Sequence, residues 1–504
     1  MRQYIKEIGT HSAIYTVSNV LTKAIGIILI PIYTRFLTVE DYGIISIVAP
    51  VINAFLIIYT FGMRATYGRF FFDHKDRSVE QKRTLGMITT FILLLGLVGN
   101  ILLTFFGKPL FDRLFPGVDF YPYIILGLWT SFFLLTFDMK LNLFRLRQQS
   151  IAYGAFSLLK FLLIVALTIY MVVALKMGAL GKILSEFIIC GVFFLASFFL
   201  LLKDIIISFN VTKFKELLKY ALPILPHNLA GVVLGLTAKY YLNINQGVDA
   251  AGIFNIAFLM GTIMNLLITS INLTWNPFFM RTASSKQPEE AKKIFAQLTT
   301  YYTVVVVFLG LLIAMFSEEA IILLTTEPYY GAINIAPILV FAYVIQGGYY
   351  MVVTKIFYVK KATRYLAYIT VTSALINIFF NALLVPKFGL SGSAWAFIIT
   401  TSFMFIVTFF TSQRFYHIKY EYRRLLLLLM ISMICVAGFY LFFLADVSFF
   451  VNILLKAGIL FLYLALLFLF RLFRKSEIEN LMDILKKIRR RYTHKGGKDY
   501  VYRN

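Results

Sequence analysis

Apolar runs recur along the chain at short intervals, and their length carries more information than their phase. A helix needs about 20 predominantly apolar residues to cross roughly 30 Å of hydrocarbon. Fourteen stretches qualify, at residues 13–34, 42–63, 84–106, 120–139, 151–173, 179–202, 222–244, 251–274, 294–316, 331–353, 365–385, 391–412, 425–444 and 448–470. The pattern predicts an all-α polytopic membrane protein with 14 transmembrane helices. Two stretches recur at a nearly constant offset. "VEDYGIISIVA" at 39–49 matches "VDAAGIFNIA" at 248–257 with an offset of 209, and "KMGALG" at 176–181 matches "KFGLSG" at 387–392 with an offset of 211. Each match marks the same turn at the same ordinal place, so spans one to six and seven to twelve read as two copies of one unit. Six is an even number, so both copies enter the membrane in the same direction. Parallel repeats of this kind occur in alternating-access transporters, with the substrate site between the halves.

The expected organisation is an N-lobe at 1–205, a C-lobe at 206–416, two extra helices at 417–472 and a basic tail at 473–504. The tail reads equally well as a short helix on the membrane surface or as a disordered segment. Helix breakers Pro31, Pro50, Pro223, Pro226, Pro277 and Pro337 lie in or at the ends of spans, and "QGGYY" at 346–350 is expected to interrupt span ten.

Composition agrees with a membrane setting: 60% of the 504 residues are hydrophobic and 14% charged. The net charge of +24 suggests nucleic acid until the cations are placed. With the N-terminus inside, 38 of the 48 lysines and arginines fall in cytoplasmic segments, five in external ones and five within spans. The alternation holds across all the spans, so both termini are expected to be cytoplasmic in the cell's inner membrane. The positive charge then orients the protein and attracts anionic headgroups, and no nucleic-acid partner is expected. External loops are short, about a dozen residues at 107–119, which leaves no room for an external catalytic domain. Cys190 and Cys435 lie far apart in apolar runs, with no disulfide or metal spacing. No enzyme activity, cofactor or metal is expected.

Charges inside the membrane cost several kcal/mol and usually face a cavity or a partner. Lys23 lies about ten residues, roughly 15 Å, from either end of its span, beyond comfortable snorkelling reach. Ser12, Thr16, Asn19 and Lys23 share one face, which either lines an aqueous cavity or leaves the lysine to neighbouring carbonyls. Lys160 in span five and Lys239 in span seven, the latter on a face with Asn228, Gly231 and Gly235, join the candidate substrate-binding set. Arg64 and Lys355, at the cytoplasmic ends of spans two and ten, complete it. Lys182 and Glu186 are spaced to pair with each other, and Lys456 in span fourteen is a weak candidate. Asp138, Glu186 and His227 are the candidate ion-coupling groups. Embedded acids are scarce, so the cavity is expected to be cationic and its substrate anionic, with phosphate or pyrophosphate the natural choice.

The stretches "PIYTRFLTVEDYGIISI", "FGMRATYGRFF" and "NALLVPKFGLSGSAWAF" resemble the polysaccharide (oligosaccharide) flippase family of the multidrug/oligosaccharidyl-lipid/polysaccharide exporter superfamily, over roughly residues 10–470. Thr22, Lys23, Ala24, Ile25 and Gly26 are similar to a span-one pattern of the related lipid II flippases. That resemblance places Lys23 in the cationic central cavity. It implies transfer of an undecaprenyl-pyrophosphate-linked oligosaccharide from the cytoplasmic to the outer leaflet, for O-antigen, capsule or another exopolysaccharide. It also implies membrane lipids and the glycan polymerase machinery as partners, and a groove for the polyprenyl tail at spans thirteen and fourteen. The alternative is a cation-coupled multidrug antiporter of the same superfamily. Many such antiporters carry an acid in span one, and this span one has none.

Overall fold

The computed structural model describes residue 21 and residues 25–73, 78–285, 287–359, 364–443, 449–470 and 472. Asn19, Lys23 and the basic tail lie outside these residues. The N-terminal half contains α1 (Ile30–Phe36), α2 (Val39–Thr60), α3 (Met63–Asp73), α4 (Ser78–Phe106), α5 (Lys108–Leu114), α6 (Ile125–Leu146), α7 (Ser150–Ile169) and α8 (Gly178–Leu202). The second half follows with α9 (Val211–Ala221), α10 (Ile224–Gln246), α11 (Val248–Ser285), α12 (Pro288–Met315), α13 (Ser317–Leu324), α14 (Ala336–Tyr358) and α15 (Arg364–Phe415). Then come α16 (Tyr422–Phe443) and α17 (Phe449–Leu469).

Among the described residues, ten helices are long and apolar enough to cross a membrane, and the bent pair α9–α10 makes eleven. The pair bends by 41° around Pro223, as its two prolines lead one to expect. Within α15 the chain kinks at Gly389, which takes φ 55° and divides the element into two arms at the turn between expected spans eleven and twelve. The fourteen spans of the sequence pattern are compatible with this arrangement.

Two expectations need correction. Residues 346–350 do not break their span: α14 runs helical from Ala336 to Tyr358. Two glycines cost a helix about 1 kcal/mol each relative to alanine. In hydrocarbon, opening the helix would leave peptide groups with no partner at all, so the helix persists. Span eight also extends well past residue 274, through Pro277 to Ser285. Its inner end packs on protein, with the Phe279 ring 6.0 Å from Tyr358 and 5.7 Å from Tyr416.

Packing divides the chain into two compact units. The first comprises the chain up to Ser285 together with Phe316–His417, and the second comprises Lys286–Met315 and the chain from Ile418 onward. In the second unit, Tyr463 of α17 donates to the Val304 carbonyl of α12 at 3.3 Å, and Thr300 of α12 donates to Glu421 beside α16 at 2.9 Å.

Within the first unit the sequence repeat becomes a physical contact. Helix α2 starts in a capping box, with Thr38 Oγ1 accepting from the Asp41 amide at 3.1 Å and the Asp41 carboxylate accepting in return from Thr38. Close to that start, Gly43 presses on the Val248 carbonyl of α11, and a Cβ there would collide with it. Reciprocally, a Cβ on Gly252 would lie 2.5 Å from the Val39 carbonyl oxygen. Residues 43 and 39 map onto 252 and 248 through the offset of 209, so the same patch meets itself, as at an isologous interface. The pattern repeats at the ends of spans one and seven: Thr34 donates to the Leu324 carbonyl at 3.1 Å, and its equivalent Asn243 donates to the Pro116 carbonyl at 3.0 Å. Ile47, Val48, Phe111, Phe115, Val248 and Ala251 form one buried cluster that seals this end between the halves. It is the end that charge placement assigns to the outside.

Candidate functional site

Below the seal, the facing surfaces differ. Gly231 and Gly235 on α10 would have nothing within 4 Å of an added Cβ, and Gly26 is similarly open. The repeat offset relates Gly26 to Gly235 and Asn19 to Asn228. Asn228 is exposed on the same helix, and neighbouring His227 meets Thr370 Oγ1 at 3.1 Å through Nδ1. The inner half of α10 therefore presents a polar, small-residue face to open space, while its outer half, with Ala238, Lys239, Leu242 and Asn243, is buried.

Lys239 is consequently not on the open face. Its ammonium is buried where the two halves cross, donating to the Ser46 carbonyl at 3.0 Å and to Asn255 Oδ1 at 2.8 Å. Among the described residues no carboxylate lies within 4.0 Å of it. The helical spacing that groups Lys239 with Asn228, Gly231 and Gly235 holds, but the crossing covers only the outer part of that stripe.

At the opposite ends of the spans, Arg64 and Asp138 come together. Arg64 Nη1 lies 2.6 Å from Asp138 Oδ1, and Asn142 ties the pair to Arg145 by accepting from its guanidinium at 2.7 Å and donating to the Arg64 carbonyl at 3.2 Å. Taken from the sequence alone, Arg64 belongs to the substrate-binding set and Asp138 to the ion-coupling set. A pairing across 74 positions leaves no periodic signal in the chain. A second cluster has no such signal either: Asp204 accepts from Lys140 and Arg147, each at 2.7 Å. Lys140, just past the expected span at 120–139, is a buried residue of α6.

Lys182 pairs with Glu186 at 3.0 Å. Lys160 stands 4.1 Å over the Phe137 ring in a cation–π contact. Lys355, 1% exposed, donates to Gln413 Oε1 at 3.2 Å, joining α14 to the second arm of α15. The described cations of the candidate substrate-binding set thus occupy three places: the outer crossing, the interior of the N-terminal half, and the inner ends of the spans. Among the described residues no group of three His, Cys, Asp or Glu is placed to hold a metal ion.

The model of one protein family, described as polysaccharide biosynthesis protein, matches residues 8–283, more than half of the chain. The chain belongs to this family. No curated protein sequence matches it. Solved structures do. Lipid II flippase MurJ in an inward closed conformation superposes with a TM-score of 0.70 at 14% identity, covering 91% of this chain and 98% of that chain. An inward-facing multidrug resistance MATE family transporter of the MOP superfamily gives 0.59 at 14% identity, covering 76% and 92%. A MOP superfamily transporter from Pyrococcus furiosus, described as having a binding pocket of reverse polarity, gives 0.55 at 15% identity, covering 80% and 95%. At such identities the likeness is one of fold. This member of the polysaccharide biosynthesis family is a multi-pass membrane protein with the fold of MOP-superfamily transporters. The family match spans both crossing helices, α2 and α11, and ends beside the inner end of α11.

Proposed function

We propose that this protein is a flippase that moves an undecaprenyl-pyrophosphate-linked oligosaccharide from the cytoplasmic to the outer leaflet of the inner membrane, with both termini cytoplasmic. On this reading the two lobes are residues 1–205 and 206–416, and the face of α10 where Asn228 is exposed and Gly231 and Gly235 have open space would line the cavity between them. One observation carries the reading: embedded cations outnumber embedded acids, and both acids of the candidate set are neutralised by cations of their own. Asp138 is paired with Arg64, and Glu186 with Lys182. A surplus of positive charge in a low dielectric attracts a diphosphate and repels cationic drugs. The sugars would occupy the hydrated cavity while the polyprenyl chain stays in lipid, and the glycan polymerase machinery would receive the product outside. Catalysis of a covalent step is not required.

The same pairing weighs against the multidrug antiporter, whose cation coupling needs an acid free to exchange its ion. Drug resistance lost on changing Asp138 or Glu186, with surface glycan intact, would favour that reading. Lys23 is the cation for which the flippase reading makes the sharpest demand, because the sequence pattern puts it about midway along its expected span, on a polar face. Lys23→Ala is expected to reduce surface glycan severalfold at normal protein abundance, with Lys23→Arg retaining more. Full export by the alanine variant removes Lys23 from the mechanism.

A further inference from the structure

Lys239 occupies a special position relative to the repeat. Its two acceptors, Ser46 and Asn255, are equivalent through the offset of 209, so the ammonium bridges matched positions of α2 and α11 beside their local twofold axis. The repeat equivalent of Lys239 itself is Ile30, also buried, so the seal carries one cation where its own symmetry supplies a hydrocarbon. Ser46 is buried as well and reaches across to the Ala251 carbonyl at 3.3 Å. Two glycines in backbone contact and the apolar cluster around Ile47 and Val248 favour tight closure of this crossing.

A buried ammonium with two neutral acceptors and no carboxylate has lost more hydration than its hydrogen bonds return, and replacing such ions with well-packed apolar residues commonly stabilises the buried state. We propose that Lys239 acts as a charge spring in the outer seal. Closing the seal strips water from its ammonium and opening returns it, so the lysine keeps an otherwise adhesive crossing able to open. This rests on the proposed flippase moving its substrate by alternating access between its two repeats, and on no property of the substrate.

The test uses full-length protein in intact cells, with Ser46→Cys as a reporter and a membrane-impermeant maleimide added outside. Cys190 and Cys435 are each 1% exposed and provide the background, measured without the reporter. Lys239→Met, close to lysine in volume, is expected to slow labelling of the reporter by about tenfold. Lys239→Gln, which keeps a donor but no charge, should slow it too. Labelling that is unchanged or faster in the methionine variant overturns the proposal and makes Lys239 a latch or a bystander. Labelling needs no glycan, so an error about the substrate leaves the result standing. A reporter that never labels with Lys239 in place overturns the spring and alternating access together.

Discussion

Gly43→Val is expected to bring transport down to the level of a strain lacking the protein. Any side chain at Gly43 meets the Val248 carbonyl, which is backbone and cannot rotate away, so the two helices must separate at the crossing. Overpacking of this kind costs about 1–3 kcal/mol, and roughly tenfold or more in the population of the closed seal. Gly252→Val, blocked by the Val39 carbonyl and the Gly43 backbone, should behave the same way because the contact is reciprocal. External thiol labelling at Ser46→Cys should rise in both. Gly231→Ala and Gly235→Ala are the controls: each Cβ enters open space, and activity should stay within about twofold of the parent. Surface glycan measured alongside labelling decides the matter. Retention of half the parental export by Gly43→Val would show that the crossing is not a working seal.

The largest expected effect on stability lies at the other end of the N-terminal half. Asp204→Ala removes the carboxylate shared by Lys140 and Arg147 and leaves Lys140, 5% exposed, with the Leu200 carbonyl at 3.2 Å as its remaining oxygen partner. Breaking a buried pair by removing one partner costs about 3–5 kcal/mol, read as a fall in the thermal midpoint of the detergent-solubilised protein. Adding Lys140→Met should restore much of that loss, because the orphaned charge goes with its partner. A single variant as stable as the parent would show that the cluster is ornamental. The pH dependence has a definite sign. Burial pushes the Asp204 carboxyl up, but hydrogen bonds and charge from Lys140 and Arg147 outweigh it and hold the group below its ordinary range. A depressed carboxyl contributes fully above the unfolded value of about 3.9 and progressively less as pH falls through that value toward the folded one. The parent should therefore lose stability below about pH 4, and Asp204→Ala should lose less over the same range.

Much of this architecture is legible in the chain because a bilayer imposes a length that hydropathy reports directly. The spans end less predictably where a helix finishes on protein, as α11 does beyond residue 274 against Tyr358 and Tyr416. Local charge spacing is equally readable: Lys182 and Glu186, one helical turn apart, pair as their separation dictates. Pairings between distant spans are not readable. Nothing in sequence order brings Arg64 to Asp138 or Lys140 to Asp204, since those meetings are decided by which helices pack together. The repeat shows both limits in one place. Gly43 and Gly252 stand out as matched positions, but only the folded chain shows that they touch each other's helix, and that Lys239 lies beneath them rather than on the open face.

Carriage of an anionic lipid-linked glycan between leaflets can be followed by reconstitution into liposomes containing an undecaprenyl-pyrophosphate-linked oligosaccharide labelled on the sugar, with exchange read by a quencher confined to one side. Rapid loss of protected signal is expected in vesicles holding the protein, and little loss with Gly43→Val or in protein-free vesicles. Protected signal that persists at the protein-free rate, in vesicles whose protein is shown to be folded, would contradict it.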